Sequence, residues 1–200
     1  MATTDNALLL QIATLVLPRG AYLSTSRMDL HATSFTIAAK VNLASTTTRN
    51  ILLGNWGSAG NSWQLLFAVN AGGLPSISLR KDLLTNGSDP EQDLVLLTAN
   101  AGVAAGAFRH IATTFDWGQD WIHPTAKLYV DGREAGSVSP TITPNSKVRN
   151  PYTLMPTRNP YLIGRKEDTS DDNSWFSGQI TDLRVYCAAL SAESIAALAA

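Results

Sequence analysis

The chain has 200 residues and a formal net charge of −1, so it carries no basic field that would draw it to nucleic acid or to an anionic membrane. Apolar residues make up 44% and charged residues 16%, and 14 glycines and 9 prolines punctuate short apolar runs, the composition of a compact β-rich globule rather than of a disordered or helical chain. The single cysteine, Cys187, excludes an internal disulfide and a cysteine-based metal cluster. One domain over residues 1–200 is therefore expected to stand on its hydrophobic core alone.

The first apolar run, ALLLQIATLVL from Ala7 to Leu17, has no Lys or Arg before it, carries Asp5 upstream and lacks a small-residue cleavage pattern. It reads as a strand rather than a signal peptide, and it is too short to span a bilayer. From Phe35 to Leu43 the residues Phe35, Ile37, Ala39, Val41 and Leu43 alternate with smaller or polar ones, the period of a strand with one face in the core. The segments NILLGNW, SWQLLFAV, SISLR, DLVLLTA, FRHIATTFD, AKLYVDG and YLIGRK are also short, β-branched or aromatic, and bounded by turn residues. Asp131-Gly132 predicts a type I′ hairpin, because both residue types tolerate positive φ, and it places Lys127 to Val130 beside Arg133 to Val138. On FRHIATTFD, Ile111, Thr113 and Phe115 share one face, which leaves His110 on the outer surface of its sheet as a solvated or hydrogen-bonded histidine or a ligand contact.

The last strand, WFSGQITDLRVY, changes phase. Phe176 and Ile180 share one parity, whereas Leu183 and Val185 have the other. A strand keeps both sets on one face only by inserting a residue, so a β-bulge is expected near Thr181 and Asp182. Helical periodicity is confined to the end, where Ser191 suits an N-cap, Glu193 falls in the first turn, and Leu190 with Ile195 has the spacing of a hydrophobic staple. The loops at 84–93, 116–125, 139–160 and 166–174 are long or polar enough to hold a site.

FSGQITDLRVYCAALSAESI resembles the closing signature of the laminin-G-like jelly-roll domains of the concanavalin A-like lectin/glucanase superfamily. FTIAAKVNL, FRHIATTFD, AKLYVDGREAGS and YLIGRK resemble further family segments in the family's order. The resemblance runs from about Phe35 to Ile195. It implies an all-β fold of two antiparallel sheets packed face to face with a short C-terminal helix, a binding module for carbohydrate or protein, an extracellular setting, and a calcium ion in many members. The usual I-D-E of the closing signature is here Ile180-Thr181-Asp182, and the acidic opening strand of the family is replaced by LPRGAYL, so Asp182 is the one carboxylate left at the common calcium site.

The paired-carboxylate spacing E-x-D-x-x-E of the superfamily's glucanases is absent, and Glu91 with Asp93 is an isolated pair in a polar loop. Lyase-type Arg/Gln-His/Tyr sets, HExxH, a P-loop and a nucleophile elbow are likewise absent. Cys187 has no His and Asn/Asp in a recognisable pattern around it and reads as a packed small hydrophobe. In DWGQDWIHPT, Asp116 to Thr125, Trp117 and Trp121 either form a platform for a sugar ring or fold back and plug the end of the sandwich. Trp56 and Trp63 flank GSAGNS, with Trp63 expected in the core. RKEDTSDDNSW, Arg165 to Trp175, gathers Asp168, Asp171 and Asp172 in an oxygen-rich loop suited to calcium or to solvent.

The expected function is lectin-like carbohydrate binding without catalysis, with Trp117, Trp121, Arg165, Asp172 and Trp175 holding a glycan at the loop rim. The expected calcium ligands are Asp168, Asp171, Asp172 and Asp182. The partner is a glycan or polysaccharide, with no nucleic acid and no membrane insertion. The alternative is a protein-interaction or assembly module that uses a sheet face or edge, and a glycoside hydrolase or polysaccharide lyase ranks below both.

Overall fold

A computed structural model describes residues 8–56, 63–81, 92–120, 122–141, 160–166 and 175–200. The strands, in chain order, are β1 (Leu8–Leu17), β2 (Leu23–Ser24), β3 (Phe35–Leu43), β4 (Asn50–Gly54), β5 (Gln64–Val69), β6 (Pro75–Lys81), β7 (Gln92–Thr98), β8 (Arg109–Asp116), β9 (Thr125–Val130), β10 (Arg133–Val138), β11 (Leu162–Ile163) and β12 (Gly178–Tyr186), followed by helix α1 (Ala192–Ala199). They form two antiparallel six-stranded sheets, ordered β1-β12-β3-β8-β9-β10 (sheet A) and β2-β11-β4-β5-β6-β7 (sheet B). The alternating strands of the sequence thus become a two-sheet jelly roll. The segments from NILLGNW to YLIGRK each supply one of its strands, and β2 is the strand that the sequence did not announce.

Between the sheets lies one apolar core. Phe35, Ile37, Ala39, Val41 and Leu43 of β3 meet Leu65, Phe67, Val69, Ile77 and Leu79 of sheet B, all within one contiguous cluster. Burial of this kind stabilises at about 25 cal/mol per Å² of apolar surface, which is how a chain with one cysteine holds a fixed fold.

The phase slip in β12 is a bulge. Thr181 lies opposite Lys40 while Arg184 lies opposite Ala38, so one extra residue is accommodated on β12. Asp182 takes up the strain at φ 52°, and its carboxylate receives Arg184 Nε at 2.6 Å. As a result Phe176, Ile180, Leu183 and Val185, of mixed parity, are all buried in the same core. At the β9–β10 hairpin Asp131 and Gly132 both have positive φ, 48° and 76°, and Arg133 pairs with Val130 as a two-residue turn requires.

Helix α1 is capped by Ser191, whose side chain accepts from Ser194 N at 3.3 Å. Leu190 and Ile195 pack with Ala38, Ala112 and Tyr129 on the outer face of sheet A. The approach to the helix is fixed by Thr36 of β3, whose hydroxyl donates to Ala188 O at 2.7 Å and accepts from Leu190 N at 2.9 Å. Thr36→Val keeps the shape and removes both bonds, which leaves a buried N–H unpaired. It is expected to cost about 1–3 kcal/mol, read by urea unfolding, with faster hydrogen exchange concentrated in α1.

The docked helix changes the environment expected for His110. The residue does lie on the outer face of sheet A, opposite Lys40 of β3, but its side chain is only 4% exposed and is not solvated. Among the described residues no helix is long and apolar enough to cross a membrane.

Candidate functional site at the sheet B rim

The short strands β2 and β11 bring together residues far apart in sequence. Leu162 pairs with Ser24 and Ile163 with Leu23, and Thr25 N donates to Tyr161 O at 2.9 Å. Gly164 follows at φ 94°, and a Cβ there would lie 2.8 Å from Leu17 Cδ1 and 3.0 Å from Ala21 O. Only glycine therefore lets the 21–22 segment approach so closely. Phe176 N donates to Gly164 O at 2.9 Å, which returns the chain after residues 167–174 and sets Trp175 beside Arg165.

The product is a three-residue stack. The Arg165 guanidinium carbon lies 4.6 Å from the Tyr22 ring centroid and 4.9 Å from that of Trp175. The two rings are 6.3 Å apart and tilted by 56°. Tyr22 is 48% exposed, while Arg165 and Trp175 are half-buried. Arg165 Nε donates to Lys166 O at 3.0 Å, which fixes the plane of the guanidinium. Cation–π contacts at such sites contribute about 0.5–2 kcal/mol each, so the cluster is held in place before any ligand arrives. It presents a ring surface for C–H groups and charge-assisted donors for oxygen atoms.

Of the predicted binding residues, Arg165 and Trp175 are brought together here. Tyr22 joins them without having been foreseen; its signal is an aromatic residue in the short extended run AYLS after the Pro18-Arg19-Gly20 turn. Trp117 is placed elsewhere. It is 2% exposed, packs edge-on to Phe115 at 4.9 Å and lies 6.0 Å from Trp63. This is the plug arrangement, and it corrects the expectation of a sugar platform at Trp117, because a ring inside the core offers no face to a ligand. Trp121, Asp172, Asp168 and Asp171 lie outside the described residues, as does Glu91, whereas Asp93 falls in β7.

A second aromatic–arginine contact sits on the outward side of sheet B, where the Arg80 guanidinium carbon is 4.6 Å from the Trp56 ring centroid. Trp56 packs there against Ile51, Leu66 and Ala68.

For calcium, the described residues do not make a cage. No group of three or more His, Cys, Asp or Glu side chains gathers among them, and Asp182 is engaged by Arg184 at 2.6 Å. A hard cation of this kind takes six to eight oxygen ligands, so Asp182 is a bulge residue paired to an arginine rather than the centre of a described metal site.

Two antiparallel six-stranded sheets packed face to face define the class of this molecule as a jelly-roll sandwich of the concanavalin A-like kind. Residues 18–196 match the model of the Laminin_G_3 family, of the concanavalin A-like lectin/glucanases superfamily, and the chain belongs to that family. No curated protein matches it in sequence. Among solved structures, it is similar to the CBM40 of the Ruminococcus gnavus IT-sialidase bound to α2,3 sialyllactose, with TM-score 0.72, 17% identity, and 97% and 100% of the two chains covered. It is also similar to domain 4 of AbnA, a GH43 extracellular arabinanase from Geobacillus stearothermophilus in complex with arabinotriose (TM-score 0.60, 19% identity, 92% and 75% covered). A heptameric SAP-like pentraxin from Limulus polyphemus shares the architecture (TM-score 0.60, 12% identity, 94% and 81% covered). At these identities the similarity establishes the fold.

Proposed function

We propose that this chain is a non-catalytic carbohydrate-binding module that holds a glycan on the Tyr22–Arg165–Trp175 stack. The observation that carries the proposal is the stack itself, an exposed tyrosine and a half-buried tryptophan with a guanidinium locked over both. Aromatic rings pack on sugar C–H faces, and the guanidinium edge donates to hydroxyl or carboxylate oxygens. The two carbohydrate-binding relatives, one with sialyllactose and one with arabinotriose, support the reading through shared fold. The missing E-x-D-x-x-E spacing supports binding over hydrolysis.

The test is a glycan and polysaccharide array that includes sialyllactose and arabinotriose, run with calcium and with a chelator. Specific binding is expected, with Trp175→Ala and Arg165→Ala each lowering affinity about ten- to a hundredfold, as for a buried contact of 1.4–2.8 kcal/mol. Unchanged affinity in both variants would remove the rim from consideration. Loss of wild-type binding on chelation would assign calcium to the acidic segment at Asp168, Asp171 and Asp172.

One observation favours a second reading, a protein-interaction module. Strand β1 is the edge of sheet A, runs for ten residues without a charge, and exposes Leu8, Leu9 and Val16. Long apolar edges are templates for strand addition. A concentration-dependent increase in mass on size exclusion, abolished by Leu9→Lys, would support this reading, and a monomer at all concentrations would reject it.

A further inference from the structure

Away from the rim, the outer face of sheet A carries a cleft of about 400 Å³ between β8, β9 and the segment that enters α1. Its floor includes Thr114 and Tyr129, 4% and 2% exposed. Neither hydroxyl has a hydrogen-bond partner among the described residues. The neighbouring threonines behave differently: Thr113 donates to Lys127 O at 3.0 Å, and Thr36 is used twice at the helix approach. Neither oxygen is among the buried polar atoms left without a partner, so both open onto the cleft, where each can donate to or accept from a ligand.

The walls supply the complement. Asp116 uses Oδ1 to accept from Ser34 Oγ at 2.9 Å and Gly118 N at 3.0 Å, and the residue lines the cleft. Lys127 lines the same wall, but its ammonium is paired with Glu134 at 2.9 Å, so it donates without leaving net positive charge. Leu190 and the Tyr129 ring provide an apolar patch. An anion would meet the Asp116 carboxylate, and an apolar ligand would strand the hydroxyls. A ligand with many hydroxyls and one C–H face satisfies both sets, and the volume falls at the small end of the roughly 300–1,000 Å³ of small-ligand sites.

We propose that this cleft is a second saccharide site, separate from the rim, that takes one or two neutral sugar rings. It rests on residues of sheet A and the helix approach, none of which belongs to the Tyr22–Arg165–Trp175 stack, so the two sites stand or fall separately.

The test is an amide NMR titration of the full chain with lactose, maltose and cellobiose in turn. At least one of the three is expected to shift the amides of Thr114, Tyr129 and residues 189–192 at millimolar concentration. Thr114→Val, which preserves shape, should weaken that response about five- to tenfold, as expected for one lost hydrogen bond. Ala189→Phe, which fills the cleft, should abolish it, and Trp175→Ala should leave it intact. Absence of shifts at these amides with all three sugars, or shifts that persist undiminished in Ala189→Phe, would overturn the proposal, whatever the rim does.

Discussion

Trp117→Ala is expected to destabilise the protein by about 3–5 kcal/mol, the range for removing a large aromatic side chain from a packed core. The ring closes one end of the sandwich within an aromatic cluster. Phe115 stacks on Phe35 at 5.4 Å, Trp63 lies 6.1 Å from Phe115, and Trp117 touches both Phe115 and Trp63. Its entry to the core is set by the backbone, because Trp117 N donates to Ser34 Oγ at 3.1 Å and Ser34 in turn donates to Asp116. The surrounding strands cannot collapse into the space left by an indole, so the loss includes a cavity cost beyond the transfer of the ring. Urea unfolding gives the magnitude, and a shift under about 1 kcal/mol would refute the plug. Glycan affinity measured where the variant is still folded should be unchanged, whereas a platform tryptophan would lose affinity and keep its stability.

That contrast shows where the sequence was legible. Strand positions, the Asp131-Gly132 hairpin, the Ser191 cap and the bulge at Asp182 are all written in local periodicity and turn chemistry, and the parity change between Ile180 and Leu183 allows no regular strand. A loop tryptophan is different. Nothing local tells whether Trp117 turns inward, because the answer depends on Trp63 and Phe35 at the end of the sandwich. The site was half legible for a similar reason. Arg165 and Trp175 flank one acidic loop and could be named together, but Tyr22 reaches them only through the pairing of β2 with β11, two residues each and distant in sequence. The helix followed the same rule: Leu190 and Ile195 marked its apolar side, and only the tertiary fold shows that this side covers sheet A and seals His110.

The burial of His110 gives the protein a pH dependence of its own. Removal from water, with Lys40 adding to it and Asp131 and Asp182 opposing it, lowers the His110 pKa from 6.5 to about 4. Its two ring nitrogens have no hydrogen-bond partner among the described residues, so the two carboxylates only partly offset the cost of burying a proton there. In the unfolded chain the imidazole binds its proton near pH 6.5. Below that value the unfolded state holds more protons than the native state, and stability falls as pH falls. The contribution is fully present above pH 6.5, is lost progressively toward pH 4, and amounts to about 2 kcal/mol between pH 6.5 and 5, where most carboxylates have not yet titrated. His31 adds a slope of the same sign, since burial lowers its pKa as well. His110→Leu removes both unsatisfied nitrogens and should flatten most of the slope in urea unfolding between pH 6.5 and 5, with only the His31 part remaining. Stability at pH 7 should hold or rise, because a leucine under α1 joins Ala112 and Ile195 in the same apolar patch. An undiminished slope in the variant would move the acid sensitivity to another group, and a marked loss of stability at pH 7 would mean that the imidazole itself contributes to the helix contact.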